Sequence, residues 1–313
     1  MKVVSIVGAR PNFIKLEPVS KELERQKIDH VIIHTGQHYD YQMSKIFFEE
    51  LQIPEPHYNL GVGSDTPARQ LGNIIKECDI LTKEEPDVVL VYGDTNSTLG
   101  GGIAAVKNSI PVGHVEAGLR CYDRMMQEEL NRVLTDHLSE ILFCPTKNAV
   151  RNLEKEGLGD RAFYTGDVMV ETLNNYIKCL NFKILKELGL TERGYILLTL
   201  HRAENVDNVN KLKEIIVTLK ELSKEETIVF PVHPRTLKNL SLFGLFSDLK
   251  NENIKVANPL SYSNFLALEK NAKLIMTDSG GVQKEAYILG IPCITLRERT
   301  EWIETVECGW NFL

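Results

Sequence analysis

Within the stretch GHVEAGLRCYDRMMQEELNR (113–132), acidic and basic side chains follow a short apolar run. Glu116 comes directly after IPVGHV, a run that predicts a buried strand ending at residue 115. Glu128, Asn131 and Arg132 have the spacing that places three side chains on one face of a helix. A solvated helix face would show the same charge run, so the neighbouring segments must decide between solvation and chemistry.

Carboxylates in different environments are the first sign of chemistry. If Arg132 pairs with Glu128 it keeps that carboxylate ionised, and Glu129 is then expected to point elsewhere. Asp94 comes directly after the apolar run DVVLVYG, where it is partly desolvated unless a cation pairs with it; the alternative is that it caps the next helix. Carboxylates such as Asp94 and Glu116 can divide acid and base roles or stabilise a cationic sugar ring.

The segment GARPNFIK combines a glycine turn with cations at the start of a predicted helix. Gly8 lies at the turn from strand to helix, Arg10 at its tip and Lys15 about one helical turn further. Free N–H groups at a helix start and a planar guanidinium both suit phosphate. A helix cap without a ligand is the alternative. The segment lacks the G-x-G-x-x-G and P-loop patterns, so it predicts neither NAD nor ATP binding.

TDSGGVQKEA is the stronger candidate for an anion site. Asp278 and Ser279 can cap a helix, while Gly280 and Gly281 let a diphosphate approach the backbone closely. Glu285 follows one to two turns later, where its carboxylate could accept hydrogen bonds from two ribose hydroxyls. A capped helix without a ligand is again the alternative.

Three histidines follow strand-like runs. His201 lies beside Arg202 and Glu204 in TLHRAEN, which favours catalysis or phosphate contact over a structural role. His38 in TGQHYD and His233 in FPVHPRT carry weaker signals, and both interpretations of each stay open. No metal-ligand spacing or nucleophile elbow occurs in the sequence. The pattern therefore indicates anion binding with carboxylate chemistry and no metal, a combination that a nucleotide sugar would use.

The elements that must position these residues are short Val- and Ile-rich runs separated by helix-length segments. Five runs in the first half are VVSIVG, HVIIHT, DVVLVYG, IPVGHV and EILFCPT, and five in the second half are YILLTLH, TIVFPVH, IKVANP, KLIMTDSGG and IPCITLR. Runs that are apolar on both faces predict parallel sheets covered by helices. The less apolar stretch 175–194 connects the two sets. We therefore predict an α/β protein with two doubly wound Rossmann-like domains, 1–174 and 175–313.

The candidate residues fall after strands of both sets, and ligands bind beyond the carboxyl ends of parallel strands. Two such edges that face each other would form a deep site between the domains.

Composition narrows the class of protein. A chain of 313 residues exceeds what one core usually supports, and 43% hydrophobic with 25% charged residues is typical of a globular enzyme. The net charge of −7 argues against nucleic acid or an anionic membrane as a partner. The six cysteines show no C-x-x-C pair, which argues against a disulfide framework or a zinc site.

Location is predicted from the apolar segments. No apolar stretch of the sequence reaches the roughly 20 residues of a membrane span. Arg10 interrupts the first apolar run and no cleavage site follows, so the start is predicted to be a strand rather than a signal peptide. These features predict a cytoplasmic protein.

Read in order, these segments closely resemble the non-hydrolysing UDP-N-acetylglucosamine 2-epimerases. The matching stretches are GARPNFIK, TGQHYDYQM, DVVLVYGDTNSTL, IPVGHVEAGLR, EELNRVLTDH, LFCPT, TGDVMV, TLHRAEN, FPVHPRT, TDSGGVQKEA and RERTEW. The resemblance covers nearly the whole chain. It implies a glycosyltransferase-B-type fold with the active site in the interdomain cleft, usually in a homodimer. It also implies inversion at C2 of the sugar without a redox cofactor, by anti-elimination of UDP to a 2-acetamidoglucal and re-addition.

The resemblance also implies a role for each candidate residue. The acid and base carboxylates, with the arginine that supports them, are Asp94, Glu116, Glu128 and Arg132. The residues that help the diphosphate leave or line the same site are His201, Arg10 and Lys15. The residues expected to hold or lie near the UDP are His233, Ser279, Gly280, Gly281 and Glu285.

Three features depart from the family pattern. Gln127 stands where many members have proline, which is expected to affect the loop more than the chemistry. RTEWIE stands where many have TTERPE and resembles the branch acting on UDP-2,3-diacetamido-2,3-dideoxyglucuronate. The chain ends at ECGWNFL, before the closing helices of the family. Either this sequence is cut short or the gene product is, and in the second case weaker cleft closure and activity are expected.

The bacterial members of the family can also be activated by their substrate at a second site near QHYDYQM, and whether this applies to the present chain stays open.

Three functions stay open on the sequence alone. They are a cofactor-independent nucleotide-sugar 2-epimerase, a glycosyltransferase on the same fold, and a catalytically silent sensor of UDP-sugars. Only the first exchanges the C2 proton of the sugar with solvent.

Overall fold

The computed structural model describes residues 1–37 and 45–313, with side chains in the second range from residue 48. His38 and the possible second substrate site around QHYDYQM lie outside the described residues, apart from Gln37. The chain forms two compact units, Met1–Asn175 and Tyr176–Leu313.

The first unit contains a parallel sheet of seven strands. They are β1 (Lys2–Val7), β2 (Asp29–His34), β3 (Tyr58–Asn59), β4 (Val88–Tyr92), β5 (Val112–Val115), β6 (Ile141–Cys144) and β7 (Ala162–Tyr164). Their order is β3-β2-β1-β4-β5-β6-β7. The winding direction therefore changes between β1 and β4, the point at which doubly wound sheets open a crevice for ligands.

Helices connect these strands. They are α1 (Arg10–Arg25), α2 (Lys45–Leu51), α3 (Pro67–Glu77), α4 (Leu81–Glu84), α5 (Asn96–Lys107), α6 (Gln127–Leu138), α7 (Lys147–Lys155) and α8 (Val168–Ile177). Helices α1, α5 and α6 begin after β1, β4 and β5, so their N-terminal turns lie at the carboxyl edge of the sheet.

The second unit repeats this architecture with six parallel strands. They are β8 (Tyr195–Thr199), β9 (Thr227–Pro231), β10 (Ile254–Ala257), β11 (Leu274–Thr277), β12 (Cys293–Thr295) and β13 (Asn311–Phe312), in the order β10-β9-β8-β11-β12-β13. The helices are α9 (Lys183–Glu187), α10 (Ala203–Val206), α11 (Val209–Leu222), α12 (Pro234–Leu242), α13 (Tyr262–Asn271), α14 (Gly280–Leu289) and α15 (Ile303–Glu307). The winding changes between β8 and β11.

Burial explains why the strands are apolar on both faces. Alternate residues of β8 belong to two different core clusters, with Ile196 and Leu198 in one and Tyr195 and Leu197 in the other. Successive side chains of a strand point to opposite faces, so helices must cover both sides of this sheet. The prediction of an α/β protein with two doubly wound Rossmann-like sheets is confirmed.

Three strands were not predicted from the sequence: β3, β7 and β13. Each has two or three residues and lies at the edge of its sheet, so it is too short to show an apolar pattern. Among the described residues, every helix is too short or too polar to cross a bilayer.

Candidate active site

Asn12, which was not a candidate in the sequence analysis, connects two turns at the carboxyl edge of the first sheet. Its Oδ1 accepts a hydrogen bond from the N–H of Ala9 at 3.0 Å, and its Nδ2 donates to the carbonyl oxygen of Tyr92 at 2.7 Å. The side chain is buried. The turn that carries Arg10 is thereby tied to the turn that carries Asp94.

Glu116 forms a buried ion pair. Its Oε1 lies 3.0 Å from Nζ of Lys15, and the two side chains are 9% and 5% exposed. Gly93 lies directly against this pair, since a Cβ built on it would be 3.0 Å from Nζ of Lys15. Lys15 comes from the candidate anion-binding segment GARPNFIK and Glu116 from the carboxylate segment 113–132, and the two side chains are in direct contact.

The backbone at Glu116 is strained. Its φ is +75°, in the left-handed region that favours glycine, and such a conformation costs on the order of 1–3 kcal/mol in a non-glycine residue. An apolar cavity of about 200 Å³ adjoins Glu116, with Val115, Phe143 and Val19 among its lining residues. The side chains of Lys15 and Glu116 are both largely withdrawn from water, which strengthens the attraction between the two charges.

Arg132 contacts two carboxylates from different segments. It is 1% exposed, its Nη2 donates to Oδ2 of Asp94 at 3.1 Å, and its Nη1 donates to Oε2 of Glu129 at 2.9 Å. Glu129 also accepts hydrogen bonds from the backbone N–H groups of Cys121 and Tyr122. The prediction that Glu129 points elsewhere is wrong, because residues three apart on a helix are neighbours as well as residues four apart.

Asp94 does not cap α5. The cap is Thr95, whose side chain accepts a hydrogen bond from the N–H of Thr98. Asp94 is held instead by its side-chain pair with Arg132 and by Asn131, whose Nδ2 donates to the Asp94 carbonyl at 3.0 Å. The helix face predicted from the spacing of Asn131 and Arg132 therefore contacts Asp94 directly.

Glu128 and Arg10 lie at helix starts. Glu128 is the second residue of α6, is half-buried and lies one turn before Arg132. Arg10 is the first residue of α1 and is also half-buried. The pairing of Glu128 with Arg132 stays a prediction.

In the second unit, His201 is oriented by Asp278. Nδ1 of His201 lies 3.1 Å from Oδ1 of Asp278, and the Asp278 carboxylate also accepts hydrogen bonds from the N–H groups of His201 and Arg202 and from Asn205. Burial raises the pKa of Asp278, but the charge of His201 and these hydrogen bonds outweigh it and hold that pKa well below its usual range. Because Nδ1 is occupied, Nε2 of His201 is the nitrogen that can meet a ligand.

The start of α14 contains two glycines with different surroundings. Ser279 is the N-cap residue, without a side-chain cap bond. A Cβ on Gly280 would lie 2.0 Å from Oε1 of Glu301, whereas the nearest atom to a Cβ on Gly281 is Oγ of Ser279, at 3.9 Å. Packing therefore requires glycine at the first position, while a methyl group at the second would make only an ordinary van der Waals contact.

Glu285 and His233 have protein partners of their own. Glu285 is 3% exposed and accepts a hydrogen bond from the hydroxyl of Tyr262 at 3.0 Å. His233 caps α12 through Nδ1, which accepts from the N–H of Arg235 at 3.2 Å. The ring of His233 also lies 5.4 Å from that of His201, between centroids. The structural interpretation of His233 therefore applies, and the functional one stays open beside it.

The segment after β12 contains residues that sequence reasoning did not assign. Arg297 is 8% exposed and donates from Nη1 to Glu301 at 3.0 Å, and Nζ of Lys284 lies 4.5 Å from the ring centre of Trp302. Lysine and arginine are rarely buried unless they are paired. The only sequence signal for these residues was the charged stretch RERTEW.

The two doubly wound sheets and their match to solved structures define an α/β protein of the glycosyltransferase-B type, the fold class predicted from the sequence. Residues 21–313 match the family model for UDP-N-acetylglucosamine 2-epimerase. The chain belongs to the UDP-N-acetylglucosamine 2-epimerase family, a family of isomerases.

Named relatives support this family assignment. A UDP-N-acetylglucosamine 2-epimerase of Methanocaldococcus jannaschii is 50% identical, over 100% of this chain and 88% of the relative. A UDP-2,3-diacetamido-2,3-dideoxy-D-glucuronate 2-epimerase of Pseudomonas aeruginosa is 44% identical, over 100% and 88%.

Solved structures show the same fold. The Methanocaldococcus jannaschii UDP-GlcNAc 2-epimerase in complex with UDP-GlcNAc and UDP matches with a TM-score of 0.96 and 50% identity, over 100% of this chain and 88% of that one. The Neisseria meningitidis UDP-GlcNAc 2-epimerase bound to UDP-GlcNAc matches with a TM-score of 0.90 and 33% identity, over 100% and 87%.

Proposed function

We propose that this protein inverts C2 of UDP-N-acetylglucosamine to give UDP-N-acetylmannosamine, without a redox cofactor. UDP leaves by anti-elimination, a 2-acetamidoglucal forms, and UDP adds back after the C2 proton returns on the other face. The observation that carries the proposal is the joining of two ion pairs, Lys15–Glu116 and Arg132–Asp94, at one sheet edge. The Methanocaldococcus jannaschii relative is named for this UDP-sugar, and solved structures of that enzyme and of the Neisseria meningitidis enzyme contain UDP-GlcNAc.

The carboxylates of the first unit suit proton transfer at C2. Glu116 and Asp94 each lie beside a cation, which favours the ionised form needed to accept a proton. They reach the edge from different strands, so they can approach a sugar ring from different directions. Glu128, with Arg132 one turn away, is the third group assigned to this work.

The second unit suits the departing UDP. Negative charge develops on the diphosphate as the C1–O bond breaks, and N–H groups at a helix start stabilise such charge. Ser279, Gly280 and Gly281 provide that start, and His201, oriented by Asp278, can donate from Nε2. Arg10 and His233 are assigned to the same anion, and Glu285 to the ribose. The interdomain position of the site, a homodimer and a cytoplasmic location stay predictions.

A UDP-2,3-diacetamido uronate is the second candidate substrate. The segment RTEWIE and the Pseudomonas aeruginosa relative favour it. The reaction would be the same inversion at C2, with different substituents at C3 and C6 of the sugar.

Proton NMR of the reaction in D₂O separates the candidates. With UDP-N-acetylglucosamine we expect deuterium at C2 and appearance of the manno epimer, and a parallel reaction examines the diacetamido uronate. If neither sugar exchanges its C2 proton for deuterium, epimerisation of both sugars is rejected. A glycosyltransferase would transfer the sugar to an acceptor without label at C2, and a silent sensor would bind UDP in calorimetry and turn nothing over.

Glu116→Gln tests the proton-transfer role within the same assay. The change keeps the shape of the side chain and removes its ionisable group, so we expect turnover to fall by at least ~10²-fold while UDP affinity is nearly unchanged. UDP affinity measured by calorimetry is the control for folding. Normal turnover in this variant would show that Glu116 is not a proton-transfer group.

A further inference from the structure

His114 lies in the sheet, between the turn that carries Asp94 and the turn that carries Glu116. It lies in β5, is fully buried, and uses both ring nitrogens. Nε2 lies 2.7 Å from the carbonyl oxygen of Gly93, and Nδ1 lies 2.7 Å from Oδ1 of Asp136. A carbonyl oxygen only accepts hydrogen bonds, so Nε2 must carry a proton. Gly93 directly precedes Asp94, so the ring holds the backbone from which that carboxylate projects.

Asp136 extends the connection to the turn that carries Glu116. Its second oxygen, Oδ2, accepts from the N–H of Gly118 at 3.1 Å and from Nη1 of Arg120 at 2.7 Å. Asp136 is fully buried on α6, one turn after Arg132. One carboxylate therefore holds the segments on both sides, through His114 towards Asp94 and through Gly118 towards Glu116.

Arg120 connects Asp136 to a second carboxylate. Arg120 also makes two hydrogen bonds of 2.8 Å to Glu156, which lies on the far side of the guanidinium and contacts His137. Burial raises the pKa of Asp136, but the charges and hydrogen bonds of His114 and Arg120 outweigh it and lower that pKa. Asp136 is thus ionised, and its Oδ1 lies within hydrogen-bond distance of Nδ1 of His114.

We propose that His114, held by Asp136, is a positioning residue that sets the place of Asp94 at the sheet edge. The inference rests on the proposed function, because it gives Asp94 a place in the proton transfers. His114 does not touch the substrate. Its effect is on the Gly93–Asp94 backbone, and a displacement of about 1 Å at a reacting group can cost on the order of 10²-fold in rate.

Two matched variants separate the two hydrogen bonds of the ring. The amide of His114→Gln can reach the position of Nε2 and donate to Gly93, while that of His114→Asn can reach the position of Nδ1 and donate to Asp136. His30→Gln is the control, because His30 is a half-buried histidine of the same sheet that lies near the start of β2, where it contacts Ser5 and Ser20.

We expect the Asn variant to lose about 10²-fold in kcat with KM nearly unchanged, and the Gln variant to recover at least about 10-fold of that loss. The His30→Gln control should lose thermal stability but not kcat. If the Asn and Gln variants lose equal amounts of kcat, in proportion to their fall in melting temperature, His114 has only a structural role and the inference is overturned.

Backbone amide exchange supplies a readout that does not depend on turnover. In the Asn variant the amides of residues 93–98 should exchange at least about 10-fold faster, and in the Gln variant close to the wild-type rate, because only the first loses the bond to Gly93. Unchanged exchange in both variants would overturn the inference. If the wild-type protein shows no C2 exchange with either sugar, the proposed function fails, and the amide data still decide whether His114 holds this turn.

Discussion

Arg132 is buried between Asp94 and Glu129, so one guanidinium fixes two carboxylates. A buried arginine with a single anionic partner would carry a large desolvation cost, and the second carboxylate offsets part of it. Glu129 also accepts hydrogen bonds from the loop before α6, so it supports this site although the sequence predicted that it points elsewhere.

We therefore predict that Glu129→Gln lowers the free energy of unfolding by about 3 kcal/mol, since it leaves Arg132 short of a buried charge. Urea unfolding followed by circular dichroism measures the change. Glu22→Gln is the matched control, because Glu22 forms a surface pair with Arg25 on α1 and should change stability little. Equal stability of the two variants would show that the Glu129–Arg132 pair contributes nothing.

At the scale of elements, α14 is the clearest case of a helix start shaped by its surroundings. Gly280 faces Glu301, which is 4% exposed and bonded to Arg297, so the glutamate has little freedom to move away from an added methyl group. A Cβ on Gly281 would make only an ordinary van der Waals contact, with Oγ of Ser279. Packing against Glu301 therefore explains the glycine at position 280, whereas packing does not require a glycine at position 281.

We predict opposite effects of alanine at these two positions. Gly280→Ala should lower the melting temperature, because its methyl group would overlap Glu301. Gly281→Ala should leave the melting temperature nearly unchanged and weaken UDP binding by about 10-fold, since the methyl group would occupy space assigned to the diphosphate. Calorimetric titration with UDP checks the second effect, and an unchanged Kd there would place the diphosphate elsewhere.

For the whole molecule, buried histidines link folding to pH. His30 and His34 both lie in β2, and burial lowers the pKa of each to about 4. Nδ1 of His34 also accepts a hydrogen bond from the N–H of Gly36 at 2.8 Å, which a proton there would break. Since an unfolded histidine has a pKa of about 6.5, the unfolded chain binds protons first as the pH falls.

Stability from His34 is therefore fully present above pH 6.5 and is lost as the pH falls towards 4, by about 2 kcal/mol between pH 7 and 5. His34→Asn, which keeps an acceptor for Gly36 but does not titrate, should reduce the loss of unfolding free energy over this interval by that amount. Urea unfolding at both pH values measures it. Between pH 8 and 7 the two proteins should change alike, and an identical acid loss would contradict the prediction.

Much of the architecture could be read from the sequence because parallel strands buried on both faces leave a plain apolar signal. The runs that became β1, β4, β5, β8 and β11 were all predicted, and so was the placing of charged residues after them. Edge strands such as β3 and β13 were not predicted, because a strand of two residues is too short to show a pattern of apolar residues.

The sequence by itself determined the fold class, the family resemblance and the segments that carry chemistry. Only the tertiary structure decided the partners within and between those segments: Lys15 with Glu116, Arg132 with both Asp94 and Glu129, and Asp278 with His201. The reason is physical. Spacing along a strand or helix fixes which face a side chain takes, whereas an ion pair between distant segments depends on strand order and on the angle at which each turn leaves the sheet.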